Sequence, residues 1–118
     1  MLNVQDVAVD PATRRVWRDD REIVFSRKEF DLLYFLMQRA GSVVSRDDLM
    51  LSVWNTTFWT SSKTIDVHLG WVRRKLGDDP SQPSLITTVR GHGLRFEAQA
   101  PGTSDVLDEA DRPAVRTA

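Results

Sequence analysis

The sequence of 118 residues contains no cysteine. This absence excludes disulfide bonds, thiolate metal ligands and thiol nucleophiles, and it suits a protein of a reducing compartment. The sequence also lacks an apolar run long enough to span a membrane, and its first ten residues lack the basic and apolar regions of a secretory signal. We therefore expect a cytoplasmic protein without a membrane partner.

An excess of positive charge, the usual mark of nucleic-acid binding, is also missing, because the net charge is −1. The charges are unevenly distributed, however. Residues 1–98 carry 14 basic and 13 acidic side chains, whereas residues 99–118 have a balance of −2. Residues 61–76 alone carry four basic side chains and one acidic side chain, a local charge of +3. The low net charge therefore does not exclude a nucleic-acid partner.

Sequence signatures of catalysis are absent as well. The two histidines are 24 residues apart, which is no recognisable zinc spacing, and neither a nucleophile elbow nor a phosphate-binding glycine loop occurs. The Asp-Asp pairs that begin at Asp19, Asp47 and Asp78 lie at predicted turns and helix ends, where capping explains them. We predict that the protein is not an enzyme and needs no metal or other cofactor.

The composition that remains, with 41% hydrophobic and 28% charged residues, is that of a globular domain. The length suits one domain, which we assign to residues 1–98. From residue 99 onward the chain consists mainly of small, acidic and proline residues with few large apolar ones. This composition predicts a disordered tail over residues 99–118.

The first 25 residues contain short runs rich in valine, isoleucine and aromatic residues. Turn signals at Asp10-Pro11 and Asp19-Asp20 separate these runs. We predict three antiparallel strands, at about residues 2–9, 14–18 and 22–25.

Two serine-led capping signals predict the first two helices. Ser26 and Glu29 have the spacing of a capping box, and the apolar helix that follows should lie in the core and end near Gly41. Ser45 begins a second signal, which precedes a short helix carrying Leu49.

A third helix is predicted over about residues 62–76, and its faces separate at about 100° per residue. The stripe expected to face the core consists of Ile65, Leu69, Val72 and Leu76. The opposite face carries Lys63, Val67, Gly70 and Arg74. The flanks carry Thr64, His68, Trp71 and Lys75 on one side and Asp66 and Arg73 on the other.

Two more strands, at about residues 85–89 and 94–97, are joined by Arg90-Gly91-His92-Gly93, whose glycines permit a tight hairpin with positive φ. The tip presents Arg90 and His92. Three helices followed by such a hairpin form a winged helix, in which a helix fits the DNA major groove and a guanidinium on the hairpin fits the minor groove. The sequence predicts an α+β winged helix-turn-helix that binds specific double-stranded DNA.

Several segments together resemble the OmpR/PhoB-type effector domain of two-component response regulators. In family order they are residues 25–33, 44–49, 53–54, 63–69, 73–77 and 88–96. The resemblance covers roughly residues 2–98 and implies a four-stranded N-terminal sheet, a three-helix core and a C-terminal wing. The resemblance thus implies one strand more than the sequence pattern predicts, and we expect this strand near Val43. The resemblance also implies promoter binding and control of transcription.

The resemblance implies DNA contacts at a set of positions on the third helix and the wing. Those that contact the phosphate backbone are Lys63, Thr64, His68, Arg73 and Thr88. Val67 stands where the family touches base methyl groups, and Arg90 stands where it enters the minor groove, beside His92. Family members often carry polar or basic residues at the positions of Gly70 and Trp71. We therefore expect base recognition to move to Arg74, Val67 and the wing, with Arg74 making the strongest contact.

Structural roles remain open for some of these residues. His68 could be an ordinary hydrogen-bonded helix residue, and Trp71 could pack on the sheet or the wing. The basic run of Arg73, Arg74 and Lys75 could be a solvated helix end that complements the helix dipole.

The loop between the second and third helices is implied by the resemblance to contact RNA polymerase. Its predicted contact residues are Asn55, Thr56, Thr57, Phe58 and Trp59. The two aromatic residues would be the anchors, although they could instead fold back over the core. A different function also stays open: a winged helix that docks a protein partner through Phe58, Trp59 and Trp71.

Family members usually carry an N-terminal receiver domain, for which 118 residues leave no room. We expect the chain to be the effector half of a longer regulator, and the alternative is a stand-alone regulator. In the longer regulator, a sensor kinase would act only through the receiver domain. We expect the isolated domain to be a monomer. Two copies are expected to bind DNA at tandem half-sites.

Overall fold

The computed structural model describes residues 1–54, 62–79, 81 and 84–99. The elements along the chain are β1 (Leu2–Val4), β2 (Val7–Asp10), β3 (Arg15–Arg18), β4 (Arg21–Ile23), α1 (Arg27–Gln38), β5 (Val43–Val44), α2 (Arg46–Ser52), α3 (Ser62–Leu76), β6 (Ile86–Val89) and β7 (Gly93–Phe96). This is the predicted α+β winged helix, and we call the hairpin of β6 and β7 the wing. Among the described residues no helix is long and apolar enough to cross a membrane.

The N-terminal sheet has four antiparallel strands in the order β1-β2-β3-β4, as the family resemblance implied. The prediction of a single strand over residues 2–9 is wrong. Val4 pairs with Val7, so the two residues between them form a tight turn in which Gln5 has a φ of +53°. The Gln5 side-chain amide donates to the carbonyls of Ser84 at 2.8 Å and Glu97 at 2.9 Å, which holds the turn against the wing.

The strand expected near Val43 exists, but it does not belong to the N-terminal sheet. β5 pairs with β7 in a second sheet of order β5-β7-β6, where Val44 lies opposite Leu94. The backbone N–H of Gly41 donates to the carbonyl of Phe96 at 2.8 Å, so the chain leaving α1 is bonded directly to the wing. The extra strand of the N-terminal sheet comes instead from the split of residues 2–9.

One hydrophobic core joins both sheets to the helices. The predicted core stripe of α3 is confirmed, since its four residues are at most 3% exposed. The same core includes residues of the N-terminal sheet, of α1, and of the wing with the residue before it: Val7, Val9, Val16, Leu32, Leu33, Leu36, Leu85, Ile86, Leu94 and Phe96. Burial of this stripe fixes the rotation of α3 about its axis, and therefore which residues face outward.

The capping box at the start of α1 is confirmed and is also tied to α3. The Ser26 N–H donates to Glu29 Oε1 at 2.8 Å, and the Glu29 N–H donates to Ser26 Oγ at 3.4 Å. The Lys75 ammonium donates to the same Glu29 Oε1 at 2.6 Å, although only 4% of the Glu29 side chain is exposed. Lys75 therefore has a specific partner and is more than a solvated charge at a helix end.

This buried contact predicts a pH-dependent stability. Burial raises the pKa of Glu29, but hydrogen bonds from Lys75 and Ser26 outweigh burial and hold it below its ordinary value. A carboxyl with a lowered folded-state pKa stabilises the fold above its unfolded-state pKa of about 4.3, and this contribution is lost as the pH falls through the folded-state pKa. Glu29→Gln should lower the free energy of unfolding by about 1 to 2 kcal/mol at neutral pH.

Urea denaturation of Glu29→Gln and the parent between about pH 7 and about pH 3 measures this effect. The difference between the two proteins should shrink as the pH falls below about 4. Glu22→Gln is the matched control, because Glu22 pairs with Arg15 on the exposed face of the sheet, where solvent screens the pair. A Glu29→Gln difference that stays constant across this range contradicts the assignment.

Candidate nucleic-acid interface

The face of α3 turned away from the core is exposed along its whole length. It carries Lys63, Val67, Gly70, Trp71 and Arg74. The side chains of Val67 and Trp71 are 47% and 42% exposed, which is high for such apolar residues. The predicted helix bounds, residues 62–76, and its predicted outward face are both confirmed.

Three aromatic side chains, Trp54, His68 and Trp71, form a cluster on the flank of α3. The His68 ring meets the Trp54 ring edge to face at 5.2 Å and the Trp71 ring at 5.0 Å between centroids. His68 Nδ1 also lies 2.8 Å from the carbonyl oxygen of Thr64, one helical turn earlier. The half-buried His68 imidazole is therefore a hydrogen-bonded residue of the helix, as the structural alternative in the sequence analysis proposed. Trp71 packs on His68 and keeps a large exposed surface.

Arg73 connects α3 to the wing. Its Nη2 donates to the carbonyl of Ile86 at 2.8 Å and to Thr88 Oγ1 at 3.3 Å. Burial lowers the pKa of Arg73 more than the nearby carboxylates of Asp78 and Asp66 raise it, yet a guanidinium still stays charged. Arg73 is therefore not a solvated helix end. Two residues predicted to touch DNA phosphates, Arg73 and Thr88, bond to each other.

Asp78, directly after α3, is a buried carboxylate that the sequence analysis read only as a helix-end acid. It is 4% exposed. Its Oδ1 accepts from the N–H groups of Ser84 at 2.8 Å and Leu85 at 3.1 Å, and its Oδ2 accepts from the N–H of Ile86 at 3.0 Å. The Asp78 N–H in turn donates to the carbonyl of Arg73 at 2.8 Å. We call Arg73 and Asp78 the α3–β6 clamp, because together they set the position of the wing relative to α3.

The tip of the wing is the predicted hairpin. Arg90, Gly91 and His92 are exposed, and the His92 N–H donates to the carbonyl of Val89 at 2.9 Å. The exposed residues of the tip and of α3 line two open clefts of about 650 and 570 Å³. Both clefts include Arg46 and Thr88, so the surfaces of α3, the start of α2 and the wing are continuous there.

Arg46 is a second residue of this surface that the sequence analysis missed. Its Nη1 lies 2.8 Å from Asp66 Oδ1, and both side chains are partly exposed. Asp66 is the acidic residue of α3, so this pair offsets its negative charge beside the outward face. Arg46 directly follows the capping residue Ser45, and no local pattern indicated that its side chain would meet α3.

Some predicted site residues cannot be placed. The proposed polymerase contacts Asn55, Thr56, Thr57, Phe58 and Trp59 lie outside the described residues, and so does most of the predicted tail. Their roles, like the boundary at residue 98, remain predictions.

Comparison with known proteins agrees with the fold. The family described as "Transcriptional regulatory protein, C terminal" matches residues 20–96, more than half of the chain. The alkaline phosphatase synthesis transcriptional regulatory protein SphR of Synechococcus elongatus is 44% identical over 96 residues, which are 81% of this chain. The chain spans only 37% of the length of SphR.

Solved structures show the same similarity. The Klebsiella pneumoniae RstA DNA-binding domain, solved in complex with the RstA box, has a TM-score of 0.78 and 28% identity over 83% of this chain and 97% of that domain. The response regulator DrrB of Thermotoga maritima, an OmpR/PhoB homolog, has a TM-score of 0.70 and 32% identity over 78% of this chain and 42% of its own. This chain therefore belongs to the family of C-terminal domains of transcriptional regulatory proteins, as a winged-helix DNA-binding domain of the OmpR/PhoB type.

Proposed function

We propose that this domain binds promoter DNA with α3 in the major groove and Arg90 in the minor groove, and thereby regulates transcription. The observation that carries the proposal is the α3–β6 clamp. An exposed basic helix face and an exposed arginine at a hairpin tip bind one duplex together at a lower entropic cost when their separation is fixed before binding. Arg73 and Asp78 provide that restraint through four hydrogen bonds to the first residues of the wing and its approach.

Base recognition is proposed for the outward face of α3. Arg74 is exposed and lines the same cleft as Gly70, and the fork geometry of a guanidinium suits the N7 and O6 acceptors of guanine. Val67 and Trp71 lie on the same face. Phosphate contacts are proposed for Lys63, Thr64, His68, Arg73 and Thr88, and further wing contacts for His92. Phosphate contacts position a protein on DNA, whereas base contacts specify the sequence.

The remaining partners are proposals that follow from the family. RNA polymerase would contact residues 55–59, and a second copy of the domain would occupy a tandem half-site. A sensor kinase would act only through a receiver domain outside this chain. We also propose that this role involves no cofactor and no catalysis and is performed in the cytoplasm. Residues 1–98 are proposed as the folded domain, with a disordered tail after it.

Salt-dependent DNA binding tests the proposal. Fluorescence anisotropy with a randomised duplex pool, followed by sequencing of the bound fraction, should yield an enriched site. The logarithm of affinity should fall with the logarithm of salt concentration by about 0.9 for each phosphate contacted. Arg74→Ala should weaken binding to the enriched site by about 1 to 3 kcal/mol and relax one base preference. Arg90→Ala should weaken binding to all sequences and make the slope shallower by about 1.

Arg15→Ala is the matched control, because it removes the same charge from β3 of the N-terminal sheet. It should leave affinity and slope nearly unchanged. Salt-insensitive or absent DNA binding would contradict the proposal and favour a winged helix that docks a protein partner through Trp71 and the loop aromatics.

A further inference from the structure

Gly70 is a glycine that the fold does not require. It lies inside α3, is exposed, and does not have a positive φ. A Cβ added at Gly70 would meet no atom of the described residues within 4 Å. An exposed glycine inside a helix lowers stability by about 1 kcal/mol relative to alanine. The domain therefore carries a destabilising residue on its outward face without a packing reason in the described structure.

The neighbours of Gly70 are apolar and exposed. Residues three or four apart are neighbours on a helix surface, so Val67 lies beside both Gly70 and Trp71. The Trp71 ring is held by His68, and His68 by Trp54 and the Thr64 carbonyl. We call the patch formed by Val67, Gly70 and Trp71 the Gly70 notch. Its largest side chain, Trp71, is held by these contacts, and the position of Gly70 beside Val67 carries no side chain.

The charges around the notch select the partner. Lys63 lies one turn before Val67, and Arg74 lies one turn after Gly70. Asp66 also lies one turn before Gly70, but its carboxylate is paired with Arg46 at 2.8 Å, so the net charge beside the notch is positive. An apolar patch between cations fits a polyanion that itself presents apolar groups. In the major groove of DNA, the apolar group on a base edge is the C5 methyl of thymine.

We propose that the Gly70 notch receives thymine methyl groups, so that Trp71 and the missing Cβ of Gly70 select thymine beside the base read by Arg74. This inference rests on the proposed binding of α3 in the major groove. It gives Trp71 a base-reading role through contact with a methyl group instead of a hydrogen bond. The absence of a Cβ at Gly70 then allows the methyl group to approach the backbone of α3, because any side chain at that position would occupy the space that the methyl group needs.

Replacing thymine with deoxyuridine tests the proposal, because it removes the methyl group and leaves the hydrogen-bonding groups of the base unchanged. The probes are duplexes of the enriched site in which single thymines are replaced in turn. At one or two positions the substitution should weaken binding roughly fourfold, which corresponds to about 0.8 kcal/mol for one buried methyl group. Thymines elsewhere in the duplex should show no effect.

Protein variants assign the effect to the notch. Trp71→Ala should show a smaller difference in affinity between the thymine and deoxyuridine duplexes than the parent does, with Val67 retaining the remainder. Gly70→Ala should raise the melting temperature of the free domain yet weaken binding to the thymine duplex by about tenfold, and the deoxyuridine duplex should restore part of that loss. Arg74→Ala is the matched control: it should weaken binding but keep the thymine preference.

The two hypotheses fail differently. An enriched site whose binding is insensitive to every thymine replacement overturns the methyl-reading role and leaves the proposed function intact. Gly70→Ala binding as tightly as the parent also overturns it, because the added Cβ would then leave the proposed methyl contact undisturbed. A loss of binding in this variant, by contrast, cannot be attributed to misfolding if its melting temperature is higher than that of the parent. Loss of all salt-dependent DNA binding in the parent contradicts the proposed function, and the notch inference with it.

Discussion

Replacing Gly93 with alanine is expected to destabilise the domain by more than about 4 kcal/mol, among the largest effects of any single substitution. An alanine Cβ at this position would lie 2.0 Å from the backbone oxygen of Val44 and 2.8 Å from its carbonyl carbon. The φ of Gly93 is +147°, which residues with a side chain rarely adopt. The clash is with backbone, so it can be relieved only by separating β5 from the wing. Circular dichroism during urea denaturation measures the loss.

Gly91→Ala is the control within the same hairpin. Gly91 also has a positive φ, +79°, but a Cβ there would meet no described atom within 4 Å. Its expected loss is only the backbone term of about 1 to 2 kcal/mol. Equal losses in the two variants would show that backbone conformation, and not the approach to Val44, makes Gly93 necessary.

Replacing Asp78 with alanine is expected to lower the free energy of unfolding by about 3 to 4 kcal/mol. The substitution leaves the N–H groups of Ser84, Leu85 and Ile86 without their acceptor, and those of Leu85 and Ile86 are buried. Hydrogen bonds to a charged group contribute about 1.5 to 3 kcal/mol each, and water recovers only part of them. Because the clamp also sets the position of the wing, DNA affinity should fall under conditions in which the variant remains folded.

Asp79→Ala tests whether this effect belongs to the buried position. Asp79 is exposed, and among the described residues its carboxylate accepts from the N–H and hydroxyl of Ser81, two residues later. The variant should resemble the parent in stability and in DNA affinity, although it removes the same charge from the adjacent residue. Similar losses for Asp78→Ala and Asp79→Ala would contradict the clamp.

Errors in the strand predictions have a common physical origin. The turn at Gln5 and Asp6 contains no glycine, proline or asparagine, and two adjacent polar residues are a weak break in the pattern of residues 2–9. The turn is held by bonds from Gln5 to Ser84 and Glu97, which are 79 and 92 residues away. Likewise β5 is too short to have a pattern of its own and exists because β7 lies beside it.

The sequence by itself determined the helices, the wing and the outward face of α3. Capping depends on residues three apart, a buried stripe on residues three and four apart, and a tight hairpin on glycines at its tip. Only the tertiary structure distinguished Asp78 from Asp79, brought Arg46 to Asp66, and turned Arg73 toward the wing. The two partners in each of these contacts come from different elements. A sequence does not show whether a charged side chain will bond to a distant part of the chain or to water.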